Sequence, residues 1–414
     1  MSSNTSNPPN SKSPISSSKR MKSALILGSL SAFGPLCLDM YLPALPNLAN
    51  ELNTSASMAQ LSLTACLLGL ALGQLVAGPL SDVRGRRTPL IVALIIYAIS
   101  SLLCVFAPSA WFLIGFRFIQ GLAGAAGIVI SRAVVRDMYS GTELTKFFSL
   151  LMLVNGAAPI LAPLFGGQLL NFVSWRGVFV VLSLIGVAML LAVLFGLPET
   201  LPKERRQSGG MNETLSTFRR LLRDRIFIGY CLAQGLVTAA MFGYISGSSF
   251  VLQNIFHVSE QMYSLIFAIN GVGIIIASQT TGRLAGRFKE SSLLAFGLGL
   301  AGVSSIALLT VILTGGGLIA ILIPLFLIVS CVGIVGTSTF ALAMNSQSKS
   351  AGSASALLGL LPYILGAAVA PLVGLGGDKT AVPMGIVIIV ANLSAVICYL
   401  FVVRRAQVKL KAAS

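Results

Sequence analysis

GPLCLDMYLPALP, running from Gly34 to Pro46, places one carboxylate, Asp39, inside an apolar segment bracketed by Pro35 and Pro43. The segment is entered from a basic flank of Lys19, Arg20 and Lys22. Asp39 therefore lies roughly 25 Å along a helix that rises 1.5 Å per residue. A charge at that depth costs several kcal/mol unless it faces a cavity or a partner, which marks it as a candidate functional group. Pro35 cannot donate to the carbonyl of Ser31, so a backbone acceptor is freed close to the carboxylate. The alternative is a carboxylate that only staples helices together.

The rest of the chain fits a membrane setting. Its 414 residues are 55% hydrophobic and 10% charged, with 42 glycines, and the mean hydropathy is +0.90. Apolar runs of about 20 residues recur, each long enough to span a bilayer core. The net charge of +16 suggests nucleic acid at first, but its placement excludes that reading. With odd-numbered connections outside, those loops hold only Arg176 and Lys379, and Arg117 lies within a span. The other Lys and Arg residues all fall on the inward side, which predicts two cytoplasmic termini. The six cysteines sit inside apolar runs with no CxxC pair, and read as small buried hydrophobes rather than disulfides or metal ligands.

Twelve spans are expected, near 22–44, 58–80, 90–107, 110–132, 144–170, 176–197, 225–250, 259–281, 291–313, 318–343, 350–376 and 380–403. Glu51 falls in a short loop after the first. This gives a Ser/Asn/Pro-rich disordered tail (1–20), a six-helix bundle (21–197), a polar linker (198–224), a second bundle (225–403) and a basic tail (404–414). A short basic surface helix is expected late in the linker. No cleavable signal peptide is evident, because the first apolar run leads straight into Asp39. The halves repeat: GPLSDVRGRR from Gly78 answers GRLAGRFK from Gly282, 204 residues on, and APLFGG from Ala162 answers APLVGLGG from Ala370, 208 residues on. Two homologous halves around a central site is a transporter architecture.

Three motifs carry a family resemblance. Gly78–Leu90 holds Gly78, Asp82, Gly85, Arg86 and Arg87, although Val83 stands where a basic residue is usual. RFIQGLAGAAG holds Arg117, Gln120 and Gly121. NGAAPILAPLFGG holds Gly156, Pro159, Pro163, Gly166 and Gly167. On these the chain resembles the major facilitator superfamily over all twelve spans. LDMYLPALP with SRAVVRDMY (Ser131–Tyr139) narrows the resemblance to the bicyclomycin-resistance (Bcr/CflA) branch of drug:proton antiporters. The resemblance implies an all-α fold of two pseudo-symmetric six-helix halves in a bacterial plasma membrane. It further implies that Asp82 faces the start of span eleven near Ser350, and that the span-five glycines and prolines act in coupling.

The residues themselves suggest further roles. Gly85 permits a tight turn, and Asp137 is a plausible partner for Arg86. Asp82 and Asp137 are acids retained where Lys and Arg dominate, so Gly78, Asp82, Gly85, Arg86 and Asp137 form a candidate conformational switch. Asp39 and Arg117 lie at equal depth on antiparallel spans and are expected to pair, making a proton-coupling site. Tyr41, Gln120, Asn155, Tyr230, Gln234, Met241, Tyr244, Asn270, Asn345 and Tyr363 are candidate cavity residues, each equally open to a packing role. His257 is assigned to a loop. No metal cluster, nucleophile elbow or phosphate-cradling loop is seen, so neither cofactor nor enzymatic chemistry is expected. The leading expectation is a monomeric exporter exchanging protons for small amphipathic molecules. An exporter of a metabolite such as an amino acid or sugar is the alternative.

Overall fold

The computed structural model describes residues 17–139, 141–206, 218–345, 347, 351–377 and 379–406. Helices dominate. The first span is broken into α1 (Ser17–Ser31), α2 (Phe33–Asp39), a 3₁₀ turn (Leu42–Ala44) and α3 (Leu45–Glu51). Then follow α4 (Ala56–Arg84), α5 (Arg87–Val105), α6 (Ala110–Met138), α7 (Gly141–Leu169) and α8 (Trp175–Gly196). A short helix whose described part is 218–223 (α9) leads to the second half. That half comprises α10 (Arg225–Phe250), α11 (Glu260–Leu284), α12 (Glu290–Leu313), α13 (Leu318–Asn345), α14 (Ala351–Val369) and α15 (Val382–Cys398).

Among the described residues, 11 helical segments are long and apolar enough to cross a membrane. The twelfth is α7, a 29-residue helix carrying Pro159 and Pro163. Large apolar side chains such as Phe195 (87% exposed) and Phe172 (84%) point away from the bundle. An outer surface of this kind suits lipid, while helices satisfy their own backbone groups.

Small residues set the packing inside each half. A Cβ on Gly121 of α6 would lie 2.2 Å from the carbonyl of Cys66 on α4, and one on Gly69 would lie 2.2 Å from the carbonyl of Phe118. The α4 and α6 backbones therefore touch, as small-residue interfaces allow in membranes. In the second half, Gly333 of α13 approaches the Ile274 carbonyl of α11 with the same tightness, 2.3 Å. The halves meet along α4 with α14 and along α7 with α11.

Two boundaries differ from the sequence reading. The first span continues to Glu51 instead of ending near 44, because Pro43 and Pro46 sit at the N-terminal positions of new helical turns, where proline is tolerated. Glu51 thus closes a helix; it accepts a hydrogen bond from Trp175 Nε1 at 2.6 Å and pairs with Arg176. The helix at the start of the chain is already present at Ser17, inside the tail expected to be disordered. The remainder of that tail, the middle of the linker and the last residues lie outside the described residues.

Candidate functional site

The chain breaks twice around the quoted stretch. Ala32 bonds back to Ser29 rather than continuing the α-helical ladder. α2 ends at Asp39, and Met40 and Tyr41 turn into the 3₁₀ segment. This turn swings Tyr41 inward. Its ring lies under the Arg117 guanidinium, with the carbon 4.3 Å from the ring centroid, and Phe179 flanks the same cation at 5.6 Å. Arg117 Nη1 donates to Gln120 Oε1 at 2.5 Å, Gln120 Nε2 donates to Ser101 Oγ at 2.7 Å, and Tyr41 and Ser62 share a hydroxyl hydrogen bond at 3.1 Å. Arg117 and Gln120 are both 0% exposed. A buried guanidinium held by aromatic faces and one amide is preorganised, and the cation–π contact gains from the absence of water.

Asp39 and Arg117 do not form an ion pair, contrary to the expectation from equal depth. The reason is the double break, which rotates Tyr41 rather than Asp39 onto the arginine. Arg117 Nε and Nη2 have no hydrogen-bond partner among the described residues. Asp39, 6% exposed, has no hydrogen-bond or ion-pair partner among the described residues. It lies within electrostatic reach of Arg117 and, from the second half, of Tyr244, Tyr263 and Tyr363. The carboxylate therefore sits at the boundary between the halves.

The candidate cavity residues divide. Tyr41 and Gln120 are fully buried in the arginine nest, which takes up both side chains. Tyr230 is 2% exposed among Phe227, Cys231 and Leu357 in the core of the second half, which also removes it from a cavity wall. Gln234, Met241 and Tyr363 are half-buried. Tyr363 packs on Phe242, and Gln234 Oε1 is buried without a partner. Asn270 Nδ2 donates to Tyr244 Oη at 2.8 Å, and Tyr244 stacks on Phe267. The side chains of Asn155 and Asn345 lie outside the described residues. The sequence reading missed Tyr97 and Ser101 of α5, which wall in the arginine nest, and Arg132 of α6, which lies within electrostatic reach of Tyr363. Ser100 and Ser101 beside Tyr97 in an otherwise apolar span were the available signal.

At the end carrying both termini, Arg86 donates to Asp137 at 2.8 Å, to Asp82 at 2.5 Å and to Ser81 at 2.8 Å. Gly85 sits at φ +89°, a conformation open to glycine at little cost. The contact expected between Asp82 and the start of span eleven falls at Ser350, outside the described residues. Glu199, unremarked in the sequence, anchors this corner from the linker. It accepts N–H groups of Arg86 (2.9 Å), Arg87 (3.2 Å), Thr200 (3.0 Å) and Leu201 (3.0 Å). Partial burial alone would raise its pKa, but these N–H groups outweigh burial and hold it below the ordinary carboxylate value. Its contribution is present above the ordinary carboxylate value and is lost as pH falls through the depressed one.

The chain matches the Major Facilitator Superfamily over residues 27–371. This protein is a major facilitator transporter. It is 46% identical to the "Uncharacterized MFS-type transporter YdgK" of Bacillus subtilis over 90% of this chain and 93% of that one. It is 30% identical to the "Bicyclomycin resistance protein homolog" of Haemophilus influenzae, over 92% and 96% respectively. A solved bacterial homolog of the human lysosomal transporter Spinster, in an inward-facing and unoccupied conformation, shares the fold with a TM-score of 0.69. That likeness covers 96% of each chain at 17% identity.

In the transporter, the described hydrogen bonds between the halves all lie at the end remote from the termini. Asn47 Nδ2 donates to Glu260 Oε1 at 2.5 Å, and Gln253 Nε2 donates to the Pro43 carbonyl at 2.9 Å. Gln261 Nε2 donates to the Gly167 carbonyl (3.2 Å) and to Asn171 Oδ1 (2.8 Å), and Gln60 Nε2 donates to the Ser246 carbonyl (3.1 Å). Of the span-five glycines, Gly167 serves this seal: a Cβ on it would lie 2.2 Å from Ser264 Oγ of the second half. A Cβ on Gly166 would lie 1.8 Å from the Met40 carbonyl, next to Asp39, so this glycine packs α7 on the first span within the first half. A Cβ on Gly374, the repeat counterpart of Gly166, would lie 2.5 Å from Ser57 Cα, across the halves. Gly156 is in ordinary contact with Ile275 of the other half, while Pro159 and Pro163 lie within α7. Gly374→Leu is therefore expected to prise this end apart. A cysteine at Ser57 should then react with an impermeant maleimide much faster than in the parent, and an unchanged rate would show that the seal closes without the glycine.

Proposed function

We propose that this transporter is a proton-coupled exporter of small, mostly amphipathic molecules. It works by alternating access as a monomer in a bacterial plasma membrane, with both termini cytoplasmic. The carrying observation is Asp39, a buried carboxylate at a helix break, with no hydrogen-bond or ion-pair partner among the described residues and within electrostatic reach of Arg117 and of tyrosines of the opposite half. A carboxylate at that boundary can bind a proton when the cavity is open and release it when a substrate or a changed access path competes for the position. The resistance protein named among the relatives supports drugs as cargo, and the half-buried Met241 and Tyr363, with the buried Phe242 behind Tyr363, give an adaptable apolar wall. The orientation follows from the Lys and Arg distribution.

The Asp82–Arg86–Asp137 cluster is the proposed switch. In the described conformation it lies wholly within one half, consistent with a latch that engages the opposite half only when the termini end closes. Asp82→Asn should shift the population toward the form open at that end while leaving drug binding intact. Spin-label distances between the two inner loops check this, and unchanged populations would remove the latch.

The function is tested in proteoliposomes with an imposed pH gradient and a panel of cationic drugs, neutral drugs, amino acids and sugars. Gradient-dependent movement of at least one drug is the expected result. Movement of amino acids or sugars alone would reassign the cargo, and movement independent of the gradient would remove the proton coupling.

A further inference from the structure

A cavity of about 310 Å³ opens between α12 and α15 at the end carrying the termini. Its polar rim is Ser291, Ser292, Tyr399 and Arg404, and its floor includes Leu298, Val396 and Leu400. The segment that continues α15, Tyr399–Arg404, is a π-helix. Tyr399 Oη donates to the Ser291 carbonyl at 3.3 Å. The Ser291 and Ser292 hydroxyls and the Arg404 guanidinium have no hydrogen-bond or ion-pair partner among the described residues. Lys289 and Arg405 stand exposed beside this rim. Glu290 is the acid at this corner, and it does not line the cavity.

The internal repeat shows what such a corner holds. At the 204-residue offset, Ser291 and Ser292 answer Arg87 and Thr88. In the first half that corner is filled from within. The Glu199 carboxylate accepts the N–H groups of Arg86 and Arg87, and the Arg87 side chain crosses to the Leu194 carbonyl at 2.6 Å. In the second half the small serines leave the space open, with the Arg404 cation, unpaired among the described residues, at its edge.

We propose that the cavity between α12 and α15 binds an anionic glycerophospholipid of the leaflet on the termini side. The headgroup phosphate is held by Arg404 and the hydroxyls of Ser291 and Ser292, and an acyl chain runs down over Leu298, Val396 and Leu400. A guanidinium and two hydroxyls match phosphate oxygens. The position at the ends of two spans is that of the headgroup layer, where basic pockets between helices recruit anionic lipids.

The test is native mass spectrometry of the full-length protein released from mixed micelles containing phosphatidylglycerol or phosphatidylcholine. The parent should retain one phosphatidylglycerol that Arg404→Gln retains at least fivefold less, with partial retention in Arg404→Lys and none of this difference with phosphatidylcholine. Arg283→Gln removes an equally exposed charge at the same end without touching the cavity, and should match the parent. Equal retention by Arg404→Gln, or equal loss in Arg283→Gln, would overturn the proposal. Displacement of the lipid by equimolar glycerol 3-phosphate would also overturn it, by making this a site for soluble phosphate.

Discussion

Asp39→Asn is expected to abolish export driven by a pH gradient while some substrates still bind. The amide occupies the volume of the carboxylate but cannot take up or release a proton, so the variant is fixed in the neutral form. Asp39 ends α2 and is 6% exposed, with no hydrogen-bond or ion-pair partner among the described residues that the exchange would strand. Folding should therefore survive, and binding of neutral drugs should change little. A cationic drug loses its counter-charge and should bind more weakly. The separation of lost uphill transport from retained binding, read by radiolabelled drug in proteoliposomes and by binding to purified protein, distinguishes a proton carrier from a helix staple.

Arg117→Lys is expected to lower coupled transport roughly 30-fold with the protein still inserted and folded. Lysine keeps the charge but loses the planar fork that donates to Gln120 and lies over Tyr41. A desolvated cation–π contact is worth about 2 kcal/mol, which is roughly 30-fold in any equilibrium that depends on it. The apolar and aromatic wall of Phe33, Tyr97 and Phe179 remains, so the half itself should hold. Drug efflux rates at matched membrane levels check the prediction. Transport equal to the parent would show that charge alone, and not the nest, is needed.

How legible this was in the sequence depends on the range of the interaction. Spans were readable because apolar runs near 20 residues and the Lys and Arg bias are local signals that a bilayer enforces. The Arg86–Asp137 ion pair was readable because acids stood out in basic loops. The Arg117 environment was not, because equal depth places Asp39 beside Arg117 only on a helix that continues unbroken. The breaks at Ala32 and after Asp39 reset the helical phase, so depth was approximated while direction was lost. Tyr41 and Gln120 looked like cavity residues for the same reason, being polar in a span with no sign of which neighbour would claim them. Glu199 read as linker, since nothing local to Pro198-Glu199-Thr200 reveals that it returns to the α5 start. The inter-half seal joins residues as far apart as Asn47 and Glu260, and only the paired glycine motifs hinted at it.

Substrate-induced proton release from the purified transporter tests the central claim most directly. Addition of a transported drug to weakly buffered, detergent-solubilised protein should acidify the solution in proportion to the sites occupied, and Asp39→Asn should release no protons under the same binding. Full release from Asp39→Asn would contradict the account and move the proton site elsewhere.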